Sequence, residues 1–395
     1  MIKELLHQEV QEFIKVHEND VPAVLMLQSK GFPTFPMREI VEQIQSRQKA
    51  KHKIPSWYST EGILFPPPLS LEQCSSEETA IYKQHLVKGE KMADLTGGMG
   101  IDTYFLSQSF VSTDYVEQQQ NLANLATHNY AVLASSNIQV HHKSAEQFLE
   151  EGTSGFDLIF IDPARRDLNK KKVFRLSDCE PNIIKMLPII LPKTKRLLIK
   201  ASPLLDIKGA IRDLGGVSEA HVVALKGEVK ELLFLIDKSS VGHDPIIHCV
   251  DILKDSVFEF MFLFSTEENL NRAYGVPKRY IYEPNATILK GGAFKSIAEK
   301  FDLIKLHPNT HLYTSDDLNM KFPGRIFMNL DTISLSKKTL KRKLKALKAN
   351  ITVRNYPLTV EQIRKKSGLK DGGKDYILGF TDLESPKLLL TEKIK

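Results

Sequence analysis

A chain of 395 residues with 42% hydrophobic and 26% charged residues has the make-up of a folded globular protein, with length for roughly two to four domains. That excludes a wholly disordered chain, a collagen-like chain and a small disulfide scaffold. No apolar run is long enough for a bilayer span, since the most apolar stretch, 257–264, is interrupted by Glu259. The net charge of +6 is unevenly spread: 321–395 holds 18 Lys and Arg against 7 Asp and Glu, a net +11, leaving −5 for the rest. A basic end on an acidic body points to a polyanion partner.

In chain order, 1–50 is expected to be helical, with Leu5, Leu6, Phe13 and Ile14 near helical spacing and Asp20 capping a helix that begins at Pro22. Residues 51–68, with prolines at 66, 67 and 68, are expected to be an extended connector. Ser75 and Glu78 form a capping-box pattern for a helix to about 87. The early charges of the N-terminus lack the apolar core of a signal peptide. Cys74, Cys179 and Cys249 have neither Cys-x-x-Cys nor zinc spacing, and the histidines form no metal pattern. A reducing, cytoplasmic setting and no bound metal are therefore expected.

From Lys91 the pattern changes. Strands are expected over 92–95, 111–116, 138–140, 158–161, 197–199, 220–225 and 232–236, mostly with helices between them. That alternation implies a mainly parallel, doubly wound sheet. The last two are too close for a helical crossover, so that pair should be antiparallel. Beyond 241, strands are expected over 246–250, 258–264, 325–329, 351–354, 376–380 and 387–390. Helices are expected over 293–301, 336–349 and 359–366.

The segment Asp94-Leu-Thr-Gly-Gly-Met-Gly-Ile-Asp-Thr103 lies between a strand and a helix. Its glycines permit a tight turn and close ligand approach. It lacks the third glycine of a dinucleotide fingerprint and the Gly-Lys-Ser/Thr of a phosphate loop. An acidic strand end suits a ligand with a positively charged amino-acid end and an adenosine, which is S-adenosylmethionine. Asp94, Thr96, Gly97, Gly98, Gly100 and Asp102 are then cofactor candidates. Glu117 ends the next strand, where a carboxylate can take both ribose hydroxyls. Ala145 and Glu146 follow the third strand, at the adenine edge. Asp162-Pro163-Ala164-Arg165 ends the fourth, facing the transfer site, with Asp162, Pro163 and Arg165 as catalytic candidates. Arg166 and Lys200, which ends the fifth strand, are substrate candidates. The motif keeps an acid but lacks the aromatic that stacks on a flipped base in enzymes methylating base amines.

Residues 90–238 thereby resemble a class I S-adenosylmethionine-dependent methyltransferase, motif by motif. Tyr280-Ile-Tyr-Glu-Pro-Asn285, Gly368-Leu-Lys-Asp-Gly-Gly373 and Asp375-Tyr-Ile are similar to a bacterial family in which that domain precedes a ferredoxin-like and a THUMP-like domain. The resemblance implies an α/β, Rossmann-like, seven-stranded methyltransferase sheet with an antiparallel last strand. It implies a helical region over 1–88, the methyltransferase over 89–240, a ferredoxin-like α+β domain over 241–320 and a THUMP-like basic α+β domain over 321–395. It also implies RNA, tRNA or rRNA, as partner. On the basic helix expected over 336–349, Lys338, Lys341, Lys345 and Lys348 share one face and Leu340, Leu344 and Leu347 another. The first three of those lysines are candidates for RNA phosphates. The alternatives are a methyltransferase for a small molecule or protein, and a non-catalytic RNA-binding protein with a cofactor-binding fold.

Overall fold

The structure is a computed structural model describing residues 2–28, 31–152, 154–165, 175–240, 242–271, 273–344 and 346–395. The chain divides into two compact units, 1–220 with 231–243, and 221–230 with 244–395. Among the described residues, no helix is long and apolar enough to cross a membrane.

In the first unit the strands are β1 (Gly89–Asp94), β2 (Phe110–Glu117), β3 (Ile138–His142), β4 (Phe156–Ile161), the short β5 (Ala164–Arg165) and β6 (Cys179–Glu180), and β7 (Thr194–Ala201). β8 (Glu219–Leu225) begins in this unit, and most of β9 (Glu228–Asp237) lies in it. β5 and β6 pair only with each other, and the order of the others is β8-β9-β7-β4-β1-β2-β3. β1, β2, β3, β4 and β7 run parallel, and β9 runs antiparallel to β7. Each strand expected in this region is present. β4 reads Phe-Asp-Leu-Ile-Phe-Ile because a central parallel strand is buried on both faces. Lys226 and Gly227 both take positive φ and form a two-residue hairpin turn into β9.

The segment before β1 packs onto this sheet. Trp57 is fully buried with Phe65, Tyr115 and Tyr130, and Asn129 exchanges hydrogen bonds with the backbone of Leu64 at 3.0 and 2.8 Å. The connector expected over 51–68 is free of helix only at 54 and over 60–67. Helix Met37–Lys53 runs into it, and Pro55–Ser59 and Pro68–Gln73 are further helices. A proline at the first helical position forfeits no hydrogen bond, so Pro55 and Pro68 begin helices rather than forbid them. The cap of helix Glu77–Leu86 is Ser76, not Ser75; Ser75 turns inward to an ionic cluster. Asp20 pairs with His17 at 2.7 Å, leaving Val21 as the cap of Pro22–Leu27.

The second unit holds the rest of β8, with β10 (Ile246–Ile252) and β11 (Val257–Leu263) in the order β11-β10-β8. It also holds β12 (Tyr280–Pro284), β13 (Ile304–His307), β14 (Thr310–Ser315), β15 (Gly324–Thr332), β16 (Asn350–Arg354), β17 (Asp375–Thr381) and β18 (Pro386–Lys393). These form a sheet of order β13-β14-β12-β15-β18-β17-β16, with β16 and β17 parallel. The helix expected over 293–301 is shorter, Ser296–Lys300.

The basic helix expected over 336–349 stops early, spanning Lys337–Lys343. Leu344 is extended and Leu347 takes a positive φ of 47°. Leu344 and Ala349 are both buried in the same core. Continuing a helix crowded with like charges would forgo that turn into the core. Lys348 is thus off the helix, and Lys345 lies outside the described residues.

Candidate active site

The glycine segment leaves β1 at Asp94 and enters helix Ile101–Ser107 through Gly100, whose φ is +87°. Two of its glycines are demanded by tyrosines. A Cβ at Gly97 would overlap the Tyr115 ring, and one at Gly100 the Tyr130 hydroxyl. Those rings also hold the loop: Tyr115 donates to the Gly98 carbonyl at 2.6 Å and Tyr130 to the Gly100 carbonyl at 3.0 Å. Gly98 differs. Its φ is +56°, and a Cβ there would meet nothing nearer than the Thr96 carbonyl at 3.8 Å, so its open side is free for a ligand.

Carboxylates shape the rest of the loop. Glu117 accepts from Gly98 N–H at 2.8 Å and from Gln119 N–H at 2.7 Å. Asp94 accepts from Thr96 N–H at 2.9 Å and the Thr103 hydroxyl at 2.5 Å. The Thr96 hydroxyl accepts from Asp162 N–H at 2.6 Å, which joins the loop to the end of β4. Asp94, Thr96, Gly97, Gly98, Gly100, Glu117 and Asp162 thus converge at the carboxyl ends of β1, β2 and β4. An open α/β sheet binds ligands at that edge.

Burial pushes the Asp94 carboxyl up to about 7, against the Thr103 and Thr96 hydrogen bonds. The folded state therefore holds this proton more tightly than the unfolded chain, and stability is lost as pH rises through about 7. Asp94→Asn removes the titration. Its stability relative to wild type is expected to rise by roughly 2–3 kcal/mol between pH 5 and pH 8. Denaturant unfolding followed by fluorescence of Trp57, the single tryptophan, measures this; a flat difference would contradict it.

Behind the loop lies a buried ionic cluster. Lys200, at the carboxyl end of β7, donates to Asp102 at 2.8 Å and to Ser75 at 3.0 Å, and pairs with Asp162 at 2.7 Å. Lys83 pairs with Glu231 at 2.5 Å and Asp102 at 3.1 Å and donates to Ser75 at 3.2 Å. Two lysines thus face three carboxylates. Burial opposes the charge on Lys200, but Asp102, Asp162 and Glu231 outweigh it and hold its pKa well above the usual value. Burial likewise opposes ionisation of Asp102, yet Lys200 and Lys83 prevail and its pKa is lowered. Asp162 and Glu231 are raised by burial, with the lysines opposing. The Asp162 side chain is 36% exposed, so it alone of these carboxylates opens to the crevice.

The remaining candidates are placed as follows. Asp102 turns to Lys83, Lys200 and Ser75, and Lys200 is committed to Asp102 and Asp162. Ala145 is buried and Glu146 exposed in the first turn of Ala145–Glu150, capped by Ser144 and Gln147. The backbone of Ala164 and Arg165 pairs with Cys179 and Glu180 as a short antiparallel ribbon after Pro163. Arg166 and Lys170–Lys172 lie outside the described residues, as does the Arg165 side chain. Lys338 and Lys341 are exposed in the second unit.

Sequence reasoning missed Ser75, Lys83, Glu231, Tyr115 and Tyr130. One signal was present: Lys83 falls on the buried stripe of its helix with Thr79 and Ala80. A lysine on an apolar stripe requires a buried acid. β9 runs antiparallel, with Leu233 opposite Lys200, which places Glu231 at the same sheet edge.

Family models match the second unit: a ferredoxin-like domain over 280–323 and a THUMP domain-like segment over 324–393. No curated protein matches the chain. Among solved structures, one described as a putative methyltransferase from Porphyromonas gingivalis W83 is 33% identical, covering 100% of this chain and 99% of that one at a TM-score of 0.89. A putative methyltransferase from Streptococcus mutans in complex with SAH is 17% identical over 31% of this chain and 70% of its own, at TM-score 0.25. TrmK of M. capricolum, also in complex with SAH, is 12% identical over 40% and 67%, at TM-score 0.32. These two likenesses are too slight to carry an argument. The full-length match, together with the strand order and the two C-terminal segments, is decisive: the chain belongs to the family of the P. gingivalis protein, a class I S-adenosylmethionine-dependent methyltransferase fold followed by ferredoxin-like and THUMP-like segments.

Proposed function

We propose that the protein methylates RNA by direct transfer from S-adenosylmethionine to a base or ribose heteroatom. The observation that carries this reading is Asp162: a half-open carboxylate at the end of β4, tied by its backbone to the glycine loop and by its side chain to Lys200. The residues fit the cofactor. The open side of Gly98 admits it, Glu117 has lone pairs left for the ribose hydroxyls, and the surplus of carboxylates over lysines favours a cation. Asp94 and Thr96 shape the cradle, with Asp102 behind it, and Ala145 and Glu146 border the adenine. When bound, the cofactor supplies a methyl on a positively charged sulfur.

Asp162 orients the substrate heteroatom and accepts its proton as that atom bonds to the methyl carbon. A carboxyl raised by burial is a better base near neutral pH than an ordinary aspartate. Pro163 fixes the turn after Asp162, and Arg165 and Arg166 hold substrate. Lys338, Lys341 and Lys345 contact RNA phosphates, which position without specifying sequence.

Mass spectrometry of nucleosides from cells with and without the protein identifies the methylated nucleoside. On that RNA, Asp162→Asn is expected to lower the transfer rate by about 10²-fold or more while calorimetry finds cofactor affinity kept. An unchanged rate would remove Asp162 from catalysis. No nucleoside difference, and no RNA methylated by the purified protein, would sink the RNA reading.

A further inference from the structure

The Tyr280–Asn285 motif has no part in the site above, yet it builds a charged feature of its own. Glu283 on β12 is 2% exposed. It lies opposite Arg325 in the register of β12 with β15. Arg325 Nε donates to Glu283 Oε2 at 2.6 Å, and its Nη2 pairs with the same oxygen. Arg354, the last residue of β16, brings Nη2 to 2.7 Å from Glu283 Oε1. One buried carboxylate thus accepts a hydrogen bond from one guanidinium and pairs in charge with a second. Their side chains are 39% and 42% exposed.

A single arginine would neutralise Glu283, so the second is a surplus positive charge. Lys305 is buried and donates to the carbonyls of His307, Pro308 and Thr310 at 2.6, 2.6 and 3.1 Å. His311 stacks on Phe294 at 3.6 Å. Burial pushes its pKa down to about 4, with Lys305 and Arg354 pushing the same way, so the ring stays neutral. Arg325 Nη2 also donates to the Thr352 hydroxyl at 3.4 Å and Arg354 Nη1 to the Val353 carbonyl at 3.0 Å, which leaves Arg325 Nη1 and the other N–H groups of Arg354 for a ligand. The N–H groups that remain can meet the oxygens of a phosphate, and a guanidinium presents them in a fixed plane where an ammonium acts as a point charge.

We propose that Arg325 and Arg354, both paired with Glu283, form a binding site for an RNA backbone phosphate. This rests on the RNA reading above and gives it an anchoring point in the second unit. The contact carries no base information, so it fixes register for any RNA the enzyme accepts.

The test compares wild type with Arg354→Gln, which leaves Glu283 paired to Arg325 and so orphans no buried charge. Binding of unfractionated tRNA is measured against salt. The variant is expected to weaken binding at every salt concentration and to flatten the log–log slope by about 0.7–1. Protection of wild-type arginines from phenylglyoxal, mapped by mass spectrometry, gives a second measurement that needs no variant. Arg325 and Arg354 are expected to be shielded when tRNA is bound. If tRNA binds but the slope is unchanged and both arginines react as in free protein, the phosphate site is wrong and the RNA reading stands. If an acidic polypeptide shields them and tRNA does not, the site belongs to a protein partner and the proposal falls. If wild type binds no RNA and methylates none, both fall.

Discussion

Replacing Lys200 by methionine is expected to destabilise the first unit by roughly 3–5 kcal/mol, the usual cost of removing one partner from a buried ion pair. Methionine fills similar space, so the loss is electrostatic. Asp102 and Asp162 each lie within 2.8 Å of the Lys200 ammonium, and after the change Lys83 alone serves three carboxylates. The unfolding midpoint seen by Trp57 fluorescence reports it, since Trp57 is fully buried in that unit. Adding Asp102→Asn reduces the excess of carboxylates left around Lys83 and should restore part of the loss, a coupling that a double-mutant cycle measures. A catalytic consequence is separable from stability. Without its nearest cation the Asp162 carboxyl rises further, so the acid limb of the pH–rate profile should move to higher pH. A destabilisation under about 1 kcal/mol, with an unmoved acid limb, would show that the cluster neither holds the fold nor tunes Asp162.

Gly97→Ala is expected to disrupt cofactor binding without touching the ligand. The added methyl would overlap the Tyr115 ring. That ring cannot yield: it is fully buried, packs edge-on against Tyr130 at 5.6 Å and donates to Gly98. The loop must move instead, losing Gly97 N–H to the Val116 carbonyl at 2.9 Å and Gly98 N–H to Glu117 at 2.8 Å. Overpacking costs about 1–3 kcal/mol of stability. At about 1 kcal/mol for each hydrogen bond lost or misaligned, S-adenosylmethionine affinity should fall roughly 10–100-fold. Tyr115→Leu in the same chain makes room and should recover part of the stability. Gly98→Ala is the contrasting case: space is open there but φ is +56°, so its effect should fall on affinity more than on folding. Calorimetry finding wild-type affinity in Gly97→Ala would refute the account of the loop.

The sequence by itself determined the α/β sheet of the first unit and the glycine loop, with Glu117 and Asp162 at strand ends. These follow from local signals. Short apolar runs between helical patterns form parallel strands, and parallel strands bring their carboxyl ends to one edge. The tertiary structure alone decided the ionic cluster. Lys83 and Glu231 are 148 residues apart, and no local pattern says which acid a buried lysine meets. It also decided which prolines begin helices: Pro55 and Pro68 do so where burial of Trp57 and Leu71 rewards the turn. In the basic segment, charge and spacing favoured one long lysine-faced helix. Burial of Leu344 and Ala349 ended it at Lys343, because apolar burial outweighs the propensity of a few exposed residues. The Glu283 pairing with Arg325 and Arg354 has the same origin. Those residues come from three strands distant in the chain, and only their packing placed two guanidiniums on one buried carboxylate.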